Sequence, residues 1–221
     1  MKLALFDLDH TLLSGDSDVL WCDFLMDEGV LDRSSFAARN AQMEADYKAG
    51  SVDAQAFAGF YVSTLAGRSP EQWQPLRQRF LHEVIAPRIP HDAHALVQGH
   101  LQAGDLVVMT TATNRFITEL TAQHVGIAHL IATEAQLSDG RFTGHTEGVL
   151  NMRAGKVQRL QAWLSAQGQS FDAFGHSVAY SDSINDLPLL QAVREPVAVD
   201  PDARLHAHAQ AQGWRVLRLR R

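Results

Sequence analysis

The chain has a single cysteine among 221 residues, Cys22, so no internal disulfide can form and the fold must rest on packing. It also lacks any apolar run long enough to cross a bilayer and any N-terminal leader pattern, from which we expect a soluble protein of the reducing cytoplasm. Basic charge is not in excess: 19 Lys and Arg face 25 Asp and Glu, for a formal net charge of -6. That balance offers no broad cationic surface, which argues against nucleic acid as a partner and for a small soluble ligand. No internal repeat or low-complexity segment is present, and the basic end "RVLRLRR" reads as a solvated edge strand rather than a membrane patch. What the chain does have is 46% hydrophobic residues, enough for a substantial core in one domain, or in one domain carrying a sizeable insertion. Cys22 sits among apolar neighbours and reads as a small core residue. The eleven histidines form no evident cluster, since His206 and His208 point to different faces of a helix.

Five short apolar runs read as strands buried on both faces: Leu3 to Phe6, Leu106 to Thr110, Leu130 to Thr133, Val178 to Tyr180 and Val197 to Val199. Helical patterns over Ala93 to Ala103, Arg115 to His124, Lys156 to Ala166 and Leu187 to Val193 supply crossovers, and Trp214 to Leu219 adds an edge strand. This predicts an α/β fold with a Rossmann-like, doubly wound parallel sheet. The turn "SDGRFTG" predicts a small β-hairpin, read as a surface excursion. Between about Ser17 and Arg88 no strand is legible; four helical segments, Val19 to Glu28, Arg33 to Lys48, Ala54 to Leu65 and Pro70 to Ala86, are set apart by Gly, Ser and Pro breaks. We therefore expect a core of residues 1–16 and 89–221 with an all-helical cap at 17–88, hinged at Ser14 to Ser17 and Arg88 to Pro90.

Chemistry gathers at the predicted strand ends. Side chains alternate along a strand, so Asp7 and Asp9 of "DLDHT" project to one side where ligand crevices of open α/β sheets lie. Two carboxylates this close repel unless a cation sits between them or one holds a proton. A D-x-D-x-T read alone is equally a polar cap of a strand. It has company in "YSDSINDLPLL", where Asp182 and Asp186, with Asn185, follow another apolar run. Hard oxygen donors without Cys or clustered His favour Mg²⁺. The second strand ends in Thr110, Thr111 and Thr113, and "AGK" puts Lys156 at a helix start, where the macrodipole disfavours a cation unless anions are near.

In this order, "DLDHT", "VVMTTAT", "GKVQRL" and "YSDSINDLPLL" resemble the four motifs of the haloacid dehalogenase (HAD) superfamily of phosphohydrolases, and the helical insertion resembles its C1-capped, phosphoserine phosphatase-like branch. One departure is Ser181, where that branch usually carries Gly. The resemblance implies an Mg²⁺-dependent phosphatase. Asp7 is the implied nucleophile that forms an aspartyl-phosphate, and Asp9 the general acid and base, with its backbone carbonyl on the metal. Thr111 and Lys156 are the implied phosphoryl-binding groups; Asp7, Asp9, Asp182 and Asp186 form the implied metal site, with Asn185 orienting its shell.

In that branch an acid nine positions after the nucleophile meets the substrate amine, and Asp16 stands there, suggesting a small amine-bearing phosphorylated metabolite. Asp16 reads equally as a turn or N-cap acid in "SGDSD", which also holds Asp18. The branch's carboxylate-binding Arg has no counterpart in context among Arg33, Arg39 and Arg68, so phosphoserine itself is not expected. A phosphotransferase would use the same residues, and a non-catalytic phosphate- or metal-binding module would have no need of both Asp7 and Asp9. Displacement at carbon would not need Asp9 or the metal-binding acids. His10 reads as packing or facing the cap.

Overall fold

The computed structural model describes residues 2–219, apart from the side chain of Lys48; the last two arginines of the basic end lie outside the described residues. A seven-stranded sheet runs in the order β4-β3-β2-β1-β5-β6-β7. Its strands are β1 (Leu3–Phe6), β2 (Leu106–Asn114), β3 (His129–Ser138), β4 (Arg141–Glu147), β5 (Ser177–Ser181), β6 (Glu195–Val199) and β7 (Arg215–Leu217). All neighbours are parallel except β3 and β4. The central strand β1 is buried along its whole length, as expected of a strand covered on both faces.

Helices α5 (His91–Gln102), α6 (Arg115–His124), α7 (Ala154–Ala166) and α8 (Leu187–Ala192) supply the crossovers that the sequence predicts. One more, α9 (Ala203–Gln212), joins β6 to β7; an Asp202 N-cap and Gly213 at φ 67 bound it, a start and stop signal that its alternating Ala and His pattern masks. The fold is thus the expected α/β arrangement.

The helical stretch comprises α1 (Ser17–Asp27), α2 (Arg33–Ala49), α3 (Ala54–Val62) and α4 (Pro70–Arg79), within a few residues of expectation. Ser69 caps α4 through a full capping box with Gln72. Past Arg79 the chain widens into a π-helical turn, Phe80–Ile85, which buries Phe80, Leu81 and Ile85 together before Pro87 ends the helix. Ser14 N donates to the Arg88 carbonyl at 2.8 Å, tying the two ends of the stretch to each other.

The predicted hairpin is more than a surface excursion. β4 forms the sheet edge, and its outer side is paired by the α3 to α4 connection: Gly67 N donates to Phe142 O at 2.9 Å and Phe142 N to Arg68 O at 3.0 Å. Among the described residues no helix is long and apolar enough to cross a membrane.

Candidate active site

After β1 the chain folds back tightly, with the amides of Thr11, Leu12 and Leu13 all donating to the Leu8 carbonyl and His10 held at φ 57. This turn presents Asp7 and Asp9 at the carboxyl end of the sheet, beside the ends of β2 and β5. A cavity of about 370 Å³ opens there, and Asp7, Asp9, Asp16, Lys156, Asp182 and Asp186 all line it. His10, Asn185, Ala112 and Thr113 also face it, as do Glu44 and Tyr47 from α2 and Phe57 from α3.

Lys156 donates to Asp7 Oδ1 at 2.7 Å and to Asp186 Oδ2 at 2.6 Å, and is itself buried. Burial opposes its charge, but the Asp186 and Asp7 carboxylates outweigh that and push its pKa up. Thr11 Oγ1 faces both Asp7 Oδ2, at 3.0 Å, and Asp182 Oδ1, at 3.1 Å, and accepts from Asp182 N. Burial raises Asp7 to about 7, helped by Asp186 and Asp9 and opposed by Lys156. Asp182 is raised well above the carboxylate range by burial and then by Asp7 and Asp186.

The carboxylate of Asp9 accepts from Ser17 N at 2.7 Å, from Ser17 Oγ, and from Thr113 Oγ1 at 2.9 Å. Thr111, expected to bind phosphate, is fully buried; its hydroxyl points to Asp9 Oδ2 at 3.3 Å and accepts from Thr113 N, so Ala112 and Thr113 form the cavity wall in its place. Asp186 uses one oxygen, Oδ2, for both Lys156 and Ser181 Oγ, the latter at 2.8 Å. The Ser that departs from the usual Gly therefore holds the acid that holds Lys156.

Asp16 is the N-cap acid of the turn. Its Oδ1 caps α1, accepting from Asp18 N and Val19 N at 3.0 Å each, while the residue also faces the cavity. Burial, then Asp9 and Glu44, raise it to about 8 against the pull of its amide bonds. Asp18 is buried without lining the cavity. Arg39 lies over the Phe36 and Phe60 rings and Arg68 over Trp73; like Arg33, neither lines the cavity.

Sequence reasoning did not single out Thr11, Ser17, Asn151, Glu44 or Tyr47. Asn151 Nδ2 binds Thr110 Oγ1, Thr111 O and Ile131 O, pinning the loop before α7 under β2 and β3. The T of D-x-D-x-T was a usable signal for Thr11; the others bear no local mark.

The model of the haloacid dehalogenase-like hydrolase family matches residues 4–191. A histidinol-phosphatase of Neisseria meningitidis is 41% identical over 98% of this chain and 98% of its own. A phosphoserine phosphatase of Mycobacterium tuberculosis is 31% identical over 96% of this chain and 69% of its own. A solved protein of unknown function from Bordetella pertussis superposes with TM-score 0.93 and 44% identity, covering 98% of this chain and 97% of that one. A substrate-bound phosphoserine phosphatase shares the fold at TM-score 0.70 and 18% identity, over 98% and 92% of the two chains. Strand-end acids, a buried lysine and whole-length relatives agree: the chain belongs to the haloacid dehalogenase-like hydrolases, as a phosphatase of the phosphoserine phosphatase-like kind.

Proposed function

We propose that the chain hydrolyses a small, amine-bearing phosphomonoester through an aspartyl-phosphate on Asp7, with Mg²⁺ as its cofactor. The observation that carries this is the buried Lys156 ammonium 2.7 Å from Asp7 Oδ1 at the strand ends. Asp7 attacks phosphorus, forming an O–P bond as the bond to the alcohol oxygen breaks. Asp9, as general acid, passes a proton to that leaving oxygen. It then takes a proton from the water that attacks phosphorus, and phosphate departs as the bond to Asp7 breaks. Lys156, fixed by Asp186, offsets charge on the phosphoryl oxygens throughout.

The donor set suits a hard cation. Asp7 and Asp182 share Thr11 and are both raised by burial and by neighbouring carboxylates, Asp186 acting on each, a cost that a divalent ion removes. No group of three or more His, Cys, Asp or Glu among the described residues forms a ready-made cage, but Mg²⁺ needs only one or two carboxylates and fills its shell with water and substrate phosphate. Asp7, Asp182, Asp186 and the Asp9 carbonyl would hold it, and it would offset the repulsion between the attacking carboxylate and the phosphate.

Asp16 supports the amine. A buried carboxyl raised to about 8 is relieved when an ammonium arrives. The names of the Neisseria and Mycobacterium relatives point to histidinol phosphate and phosphoserine, both amine-bearing phosphate esters, and histidinol phosphate comes first because that relative matches end to end. The test is turnover of an aryl phosphate and of a panel of phosphomonoesters. Exhaustive EDTA should abolish it, Mg²⁺ should restore it, and Asp7→Asn should remove it while the fold persists. Turnover that survives EDTA sinks the metal reading, and near-normal turnover in Asp7→Asn sinks the covalent one.

A further inference from the structure

Asp202 lines the same cavity as Asp182, but it comes from the connection between β6 and α9 and has no part in the phosphoryl chemistry. Two residues before it, Asp200 at φ 41 takes a left-handed turn that few residues other than glycine adopt. Beyond that turn, Asp202 N donates to the Asp182 carbonyl at 2.8 Å, and Asp202 Oδ2 accepts from Ile184 N, also at 2.8 Å. The residue therefore grips the loop on either side of Ser183. Its other oxygen, Oδ1, caps α9, accepting from Arg204 N and Leu205 N at 2.8 Å each. A cap needs only one acceptor, which Ser or Asn supplies as well. The second carboxylate oxygen is what Asp adds, and it goes to the loop that carries Asp182.

The rest of that loop is held at short range. Ser181 Oγ accepts from Ser183 N and Ser183 Oγ from Asn185 N, at 3.2 Å each, and Thr11 Oγ1 accepts from Asp182 N at 3.0 Å. Thr11 fixes the start of the loop, and Asp202 fixes the Asp182 carbonyl and the Ile184 amide from the opposite direction. Asp182 stands in the fields of Asp7 and Asp186, which push its carboxylate away until a cation arrives. A carboxylate kept in place against like charges needs a stiff backbone behind it. We infer that Asp202 is a positioning residue for the cation site, bracing the Asp182 loop so that the Asp182 carboxylate is aimed before the cation binds. The inference rests on the Mg²⁺ reading above and adds to it a residue from outside the motif that carries Asp182.

The test reads metal binding directly, as the fall in the electron paramagnetic resonance signal of free Mn²⁺, a hard divalent ion that takes the same oxygen donors as Mg²⁺. Asp202→Asn keeps Oδ1 as the acceptor for α9 and replaces Oδ2 with an NH₂ group that cannot accept from Ile184 N. Ile184→Pro deletes that N–H from the other side, at the first position of its 3₁₀ turn and after an extended Ser183, where proline fits. Each should raise the Kd for Mn²⁺ by about tenfold to a hundredfold, the range for a residue that orients a metal ligand. The double variant should bind no more weakly than the poorer of the two, because both remove one bond. Ser69→Ala, which uncaps α4 and lowers Tm, should leave the Kd unchanged. A Kd for Asp202→Asn within twofold of wild type overturns the inference and leaves the phosphatase and Mg²⁺ readings standing, and so does a double variant whose losses add. If Asp202→Asn does not fold, Ile184→Pro decides by the same criterion. Wild-type protein that binds no Mn²⁺ removes the Mg²⁺ reading, and the inference with it.

Discussion

Lys156 reaches Asp7 because the residue before it has no side chain. A Cβ on Gly155 would sit 2.1 Å from the Leu150 carbonyl oxygen, and backbone cannot yield as a side-chain tip can. Arg153 at φ 52 turns the chain into α7 against that carbonyl, and Asn151 holds the loop in place. Gly155→Ala should therefore cost about 1–3 kcal/mol of stability and lower kcat/KM on an aryl phosphate. Gly59→Ala, at a helical site with nothing within 4 Å, should do neither. Thermal melting and turnover check both, and a wild-type Gly155→Ala would remove the argument. Asp16 predicts a pH effect. Its carboxyl moves from the usual 3.8 to about 8 on folding, so the native state holds a proton that the unfolded chain has lost. The resulting penalty is absent below about 3.8, grows as pH rises and is complete above about 8. Asp16→Asn still caps α1 but cannot ionise, so its Tm advantage over wild type, measured without divalent cations, should widen from pH 4 to pH 8. An offset independent of pH would show that Asp16 is not raised. At this scale the sequence marked the acids and Lys156, because charge at a strand end or helix start is visible locally. It did not mark Asn151 or Glu44, whose partners are remote in the chain.

The β4 edge shows what an element gains from its surroundings. An unpaired edge strand invites association, and here the Gly67 and Arg68 backbone covers it. Phe142 is buried against Phe116 at 5.0 Å, and Gly144, at φ 84, brings its Cα so near the α3 to α4 connection that a Cβ would lie 3.0 Å from Ala66 Cβ. Gly144→Ala should destabilise by about 1–3 kcal/mol, since backbone strain and collision add. Gly148→Ala shares the left-handed backbone, at φ 67, but meets nothing within 4 Å, and should cost only about 1 kcal/mol. Denaturant unfolding of both separates the terms, and equal losses would mean that the clasp carries no weight. The turn chemistry of "SDGRFTG" made this hairpin legible. Its docking was not, because the pairing partner comes from another part of the chain. β2 likewise runs on to Asn114 where the apolar run stops at Thr110, since pairing with β3 carries polar threonines into the strand.

Across the whole molecule, apolar packing divides the helical stretch unevenly. Trp21, Phe24, Trp73 and Phe80, from α1, α4 and the π-helical turn, belong to the same buried cluster as Phe6 and Leu8 of the sheet and its turn. Phe57 and Tyr61 of α3 belong to a smaller cluster with Cys22 and Met152, against which Phe36, Met43 and Tyr47 of α2 pack. We propose that α1 and α4 stay with the sheet, and that α2 and α3 are what opens over the cavity to admit substrate. In native-state hydrogen exchange, amides of α2 and α3 should then exchange by low-energy openings, and those of α1, α4 and β1 only near global unfolding. Uniform protection across residues 17–88 would refute this division. The sequence by itself determined the α/β alternation, the helical stretch and the acids at the strand ends, because strand and helix periods, caps and turn residues act over a few positions. Only the tertiary structure decided that Lys156 meets Asp7 from 149 positions away, that the Thr11 hydroxyl bridges to Asp182 from 171 positions away, and that Glu44 hangs over both. Such meetings depend on how layers pack, and packing is a property of the whole chain.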